Sequence, residues 1–69
     1  MSKIRYINMC IVEFGNIFGM KPAVAFNYLK RYGGISFIDK CYEAEHQLSL
    51  ADAMADLTAY CQRHGGTLG

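Results

Sequence analysis

The sequence predicts an all-α fold, a compact bundle of four short helices over residues 3–18, 21–32, 35–47 and 50–64 within a single domain, 1–69. Three observations predict it. Apolar residues recur at spacings of three and four in each of these segments, the signature of a helix with one buried face. Alternation with a period of two, which a half-buried strand requires, is absent over any useful length. Glycine and proline fall between the periodic segments at Gly19, Pro22, Gly33-Gly34 and Gly65-Gly66, where helices stop and start.

The first helix takes Ser2 as its N-cap and runs to about Phe18. Ile4, Ile7, Cys10, Ile11, Phe14, Ile17 and Phe18 form its stripe, widened by Tyr6 to nearly half the circumference. Met9 and Val12 lie outside the stripe, exposed or in contact with another chain. Gly15 within the pattern costs about 1 kcal/mol relative to alanine. It therefore either permits close helix contact or marks an early end.

Gly19 supplies a left-handed cap, and Pro22 suits the first turn of the second helix, where a missing N–H is no loss. Ala25, Tyr28, Leu29 and Tyr32 share its inner face, with Val24 and Phe26 to one side, and Lys30-Arg31 complement the negative end of its dipole. The third helix begins with Gly34 as N-cap and presents Ile35, Ile38, Cys41 and Tyr42 on one arc. Glu45 falls inside that arc and His46 at its edge. Ser49-Leu-Ala-Asp52 is a capping-box variant that opens the fourth helix, whose core face is Leu50, Ala53, Met54, Leu57, Tyr60 and Cys61. Residues 67–69 form a frayed tail.

Charge and composition narrow the function. Seven basic and six acidic side chains give a net charge of +1, too little field to attract nucleic acid or anionic lipid. Hydrophobic residues make up 52 % of the chain. A domain of this length hides only about 60 % of its unfolded surface, so a homodimer or a protein partner is expected to cover the excess. The cysteines, Cys10, Cys41 and Cys61, are odd in number and widely spaced, each on an apolar face, and read as reduced, buried residues of a cytoplasmic protein. Neither a signal peptide nor a membrane span is evident.

Two groups of residues stand out as placed. The first is a partner-binding set: Met9, Val12 and Phe18 on the first helix and the row Ala51, Ala55, Ala59 on the fourth. Small residues four apart let another helix approach closely, although alanine is also simply the best former of an exposed helix surface. The second is a polar cluster of Tyr42, Glu43, Glu45, His46, Ser49 and Asp52. A carboxylate in an apolar arc needs a partner. Here the expected partners are the free N–H groups at residues 50–53, while His46 bonds carbonyls at the end of its own helix. Partner recognition or acid–base chemistry are the alternatives for this cluster.

No catalytic residue and no cofactor is expected. The glycine pairs lack the spacing of a nucleotide loop, and no nucleophile is matched with a base. Cys41, His46, Cys61 and His64 could offer metal ligands, but structural zinc needs two tight pairs and only Cys61 and His64 are close in sequence. A helix-turn-helix reading across Gly33-Gly34 would send Ser36, Asp39, Lys40 and Glu43 into a major groove, an acidic set poorly suited to phosphates. DNA binding is the alternative function.

Gly34-Ile-Ser-Phe-Ile, Tyr42-Glu-Ala-Glu-His46, Leu48-Ser-Leu-Ala-Asp52 with Asp56-Leu, and Cys61-Gln-Arg-His-Gly-Gly66 follow one another in an order that resembles a family of short bacterial helical proteins of unknown function. The resemblance covers most of the chain. It implies a small helical protein encoded beside an ADP-ribosyltransferase-like toxin, and hence an antitoxin or accessory partner. No catalytic residues come with it. The sequence departs from the family pattern at Met20-Lys21, where a Ser or Thr cap is usual, and at Gly15.

Overall fold

The computed structural model describes residues 2–68. It is all-helical, with the order α1 (Lys3–Phe18), α2 (Pro22–Arg31), α3 (Gly34–Lys40), α4 (Tyr42–Glu45) and α5 (Leu50–Arg63). The expected third helix, 35–47, is therefore two helices. Cys41, at φ −102° and ψ 16°, leaves the helical region between them. Its N–H still reaches the Phe37 carbonyl at 2.9 Å, and its own carbonyl starts the next turn by accepting from Glu45 N–H at 2.9 Å. The bend lets Ile38 and Glu45 both turn inward and seats the Tyr42 ring edge-on against Tyr6, 5.5 Å between centroids.

The caps follow local chemistry. Ser2 Oγ accepts from Arg5 N–H at 3.2 Å and Ser49 Oγ from Asp52 N–H at 3.1 Å, each occupying one orphan donor of a helix start. Lys21 stands at the N-cap of α2 without a side-chain bond, and Pro22 carries the entry into that helix. Gly33, not Gly34, is the N-cap of α3, with φ 80° in the region that favours glycine.

Tyr6, Cys10, Ile11 and Phe14 of α1, Ala25 and Leu29 of α2, Ile38 of α3, and Ala53, Met54, Leu57 and Cys61 of α5 form the core. The faces of α2 and α5 are those expected from the sequence. The stripe of α1 is rotated. Ile4 and Ile17 are 74 % and 51 % exposed, whereas Met9 and Phe18, expected at a partner surface, pack against the core. Phe18 lies 4.8 Å from the Phe14 ring. Cys10 and Cys61 are buried as expected, while Cys41 at the bend is only half-buried. Of the expected frayed tail, Leu68 packs on the core and Thr67 is exposed; Gly69 lies outside the described residues.

Two glycines set how closely the helices approach. At Gly15 a Cβ would stand 2.6 Å from the Met20 carbonyl oxygen and 3.4 Å from Ala25 Cβ, so the missing side chain brings α1 against α2 and does not end the helix. At Gly34 a Cβ would meet Leu29 Cδ2 at 2.9 Å, Cys61 Sγ at 3.0 Å and Leu57 Cδ1 at 3.0 Å. Gly34→Ala is expected to lower stability by about 1–2 kcal/mol, overpacking outweighing alanine's better helix propensity. Urea unfolding checks it, and an unchanged midpoint would mean that α3 can shift without loss. No single helix among the described residues is long and apolar enough to cross a membrane.

Candidate functional site

Between the end of α1 and the outer side of α5 runs an open groove of about 450 Å³, lined by Ile17, Ala51, Met54, Ala55, Thr58, Ala59 and Gln62. Its walls follow from helical spacing. Ala51, Ala55 and Ala59 stand one turn apart on α5, and their small side chains leave a depression against which Ile17 rises. The Thr58 hydroxyl is taken up by donating to the Met54 carbonyl at 2.7 Å. No charged side chain lines the groove.

The structure thus brings the alanine row together with Ile17, which sequence reasoning assigned to the core. Val12 is exposed elsewhere on α1, and Met9 and Phe18 do not line the groove. A stripe covering nearly half a helix leaves its inward phase undecided; in the fold α1 meets α2 at Gly15, and Ile17 is exposed.

The polar cluster sits around α4. His46 Nδ1 donates to the Tyr42 carbonyl at 2.7 Å, since a carbonyl can only accept, and its ring stacks on Tyr42 at 4.5 Å. His64 repeats the arrangement at the end of α5, with Nδ1 2.8 Å from the Tyr60 carbonyl and the rings 4.1 Å apart. Both histidines serve as C-terminal caps of their helices. Ser49 and Asp52 begin α5, and Glu43 is exposed.

Glu45 is where the expectation fails. The start of α5 is capped by Ser49, and the Glu45 side chain, 8 % exposed, instead meets the Asp56 carboxyl one turn further along. A helix start already supplied with a serine oxygen leaves the glutamate to the next polar group within reach. Burial first, then the hydrogen bond and charge of Asp56, push the Glu45 carboxyl up to about 7. Beside it the buried Tyr6 hydroxyl has the Cys10 thiol, a weak hydrogen-bonding group, as its partner, and burial raises both the Tyr6 phenol and the Cys10 thiol. Burial likewise raises Cys61. Thiols held protonated in this way are poor nucleophiles.

Among the described residues, no three His, Cys, Asp or Glu side chains gather as a metal site. The outward side of α3 carries Ser36, Asp39 and Lys40, of which Asp39 is held by Lys3 at 3.1 Å.

A family model described as a protein of unknown function, DUF3791, matches residues 5–64. The chain belongs to the DUF3791 family. The matched span of this DUF3791 protein reaches from the first turn of α1 to the C-cap of α5, so it takes in the groove and the polar cluster alike. Comparison with curated proteins and with solved structures gave no match.

Proposed function

We propose that this DUF3791 protein is a non-catalytic protein-interaction module whose groove between α1 and α5 receives an apolar helix of another polypeptide, in the isolated protein a second copy of α5. The groove itself carries the reading: it is uncharged, it is walled by Ile17 and a row of alanines, and it lies on a chain rich in apolar residues. Small residues one turn apart admit a second helix at short distance, and apolar anchors at such spacing are how helices dock in grooves.

Charge supports a second copy as occupant. Asp52, Asp56 and Arg63 share one strip of α5 beside the alanine row, acids toward its N-terminal end and the base at its C-terminal end. An antiparallel, two-fold pairing about the Ala55–Ala59 turn therefore sets Arg63 of each copy toward Asp52 of the other. The resemblance to proteins encoded beside an ADP-ribosyltransferase-like toxin supports an antitoxin or accessory role for the module in the cell.

Ala55→Glu places a charge in the centre of the groove, on an exposed position where helix propensity barely changes. The variant is expected to sediment at the 7.7 kDa of one chain, with helicity by circular dichroism unchanged, while the native protein runs at twice that mass. Equal mass for the two forms contradicts the proposal.

A further inference from the structure

The polar cluster contains a feature that the groove does not use. Glu45 is the one charged side chain in the buried set of the described residues, and a helix of a single turn holds it there. Asp56 faces it from α5, Tyr6 and Cys10 from α1, and its own turn adds Tyr42, Glu43 and His46. No lysine or arginine is paired with it; the ion pair among the described residues joins Lys3 to Asp39. The Nδ1–H of His46 is committed to the Tyr42 carbonyl.

Ionised carboxylates have acceptors only, so two carboxyl groups in hydrogen-bond contact must share a proton. Loss of that proton leaves like charges touching, one of them desolvated and without a basic partner. Every other helix of the fold is longer than α4, which hangs between the bend at Cys41 and the exposed stretch Gln47-Leu48-Ser49. The buried Tyr6 hydroxyl, whose partner in the docked state is the weakly bonding Cys10 thiol, would gain water if α4 moved.

We propose that the Glu45–Asp56 pair is a proton-operated latch, fastening α4 to α5 while the two carboxyls share a proton and freeing residues 42–48 when that proton leaves. The native helices α1, α2 and α5 remain packed in the unlatched form, because their fully buried centre of Phe14, Leu29, Leu57 and Cys61 includes no residue of α4, whose Tyr42 packs only at the edge of the core against Tyr6. The latch stands whether or not the groove binds a partner.

Amide hydrogen exchange of the whole protein tests it, measured at pH 5.5 and 8.5 and compared at each pH with Glu45→Gln. The glutamine keeps a neutral donor toward Asp56 at both pH values. Intrinsic exchange chemistry is common to both forms and cancels. At pH 5.5 the two proteins are expected to exchange alike over residues 42–48. At pH 8.5 the native segment exchanges about tenfold faster than the variant, the ratio that about 1.4 kcal/mol corresponds to, with the α5 amides unaffected. A ratio independent of pH, or equal acceleration throughout α5, overturns the latch. Should Glu45→Gln not fold, the Glu45 Cδ resonance of the native protein decides by NMR titration: a midpoint in the neutral range is expected, and one in the ordinary glutamate range overturns it.

Discussion

Phe14→Ala is expected to leave little folded protein at 25 °C. Phe14 is fully buried toward the C-terminal end of α1, 5.6 Å from the Tyr28 ring and 4.8 Å from Phe18, so it joins α1 to α2. Truncating a buried phenylalanine costs about 3–5 kcal/mol through lost transfer energy and the cavity left behind. A single core in a chain shorter than about 70–80 residues rarely supplies more than about 3–5 kcal/mol in total. The loss therefore equals the whole margin. Far-ultraviolet circular dichroism with urea titration reads the outcome, and a cooperative transition displaced by less than about 1 kcal/mol, on the order of a surface change, would show that the core is organised elsewhere. Loss of helicity reversed by high protein concentration would instead tie stability to self-association.

The second large effect is a fall in stability as pH rises toward neutrality. In the folded chain the Glu45 carboxyl holds its proton up to about 7, against a reference value of 4.5. Between those limits the folded state binds more protons than the unfolded state, so stability declines with increasing pH. The contribution is complete at or below pH 4.5, is lost as pH passes through 7, and changes no further above it. Every pH unit by which folding prolongs the hold on that proton contributes about 1.4 kcal/mol. Exposure of Asp56 to water reduces the sum, and about 1–3 kcal/mol is expected.

Glu45→Gln isolates this effect, because its amide donates to Asp56 at every pH and other titrating groups are unchanged. The variant should match the native protein at pH 4.5 and melt several degrees higher at pH 8, where a domain this small moves by about 4–8 °C per kcal/mol. Parallel melting curves over the same range would mean that Glu45 ionises freely.

The sequence made the inner faces of α2 and α5 legible because Ala25 and Leu29, and Ala53, Met54, Leu57 and Cys61, leave only one arc that can be buried. It made the ends legible where a side chain or backbone acts locally, as at Ser2, Ser49, Gly19 and Pro22. The bend at Cys41 carries no glycine or proline. It arises from contacts of Tyr42 with Tyr6 and of Glu45 with Asp56, residues distant in the chain. The oddity of Glu45 was visible from its place in an apolar arc. Its partner was not, since nothing local distinguishes Asp56 from the N–H groups of residues 50–53 as the group within reach.

The same limit applies to the groove. The alanine row on α5 could be read directly, but its opposing wall could not, because Ile4, Ile17 and Met9 compete for the inward positions of α1 and tertiary packing chooses among them. Once Ile17 is turned out, the row changes from an ordinary helix surface into one side of a depression.

Binding of another polypeptide in this depression is tested most directly by affinity capture from the source cells with three baits, the native protein, Ala55→Glu and, as a control at an exposed residue outside the groove, Lys40→Glu. A polypeptide retained in equal molar amount by the native and control baits and absent from Ala55→Glu is the expected result; the same proteins at the same yield on all three would contradict it.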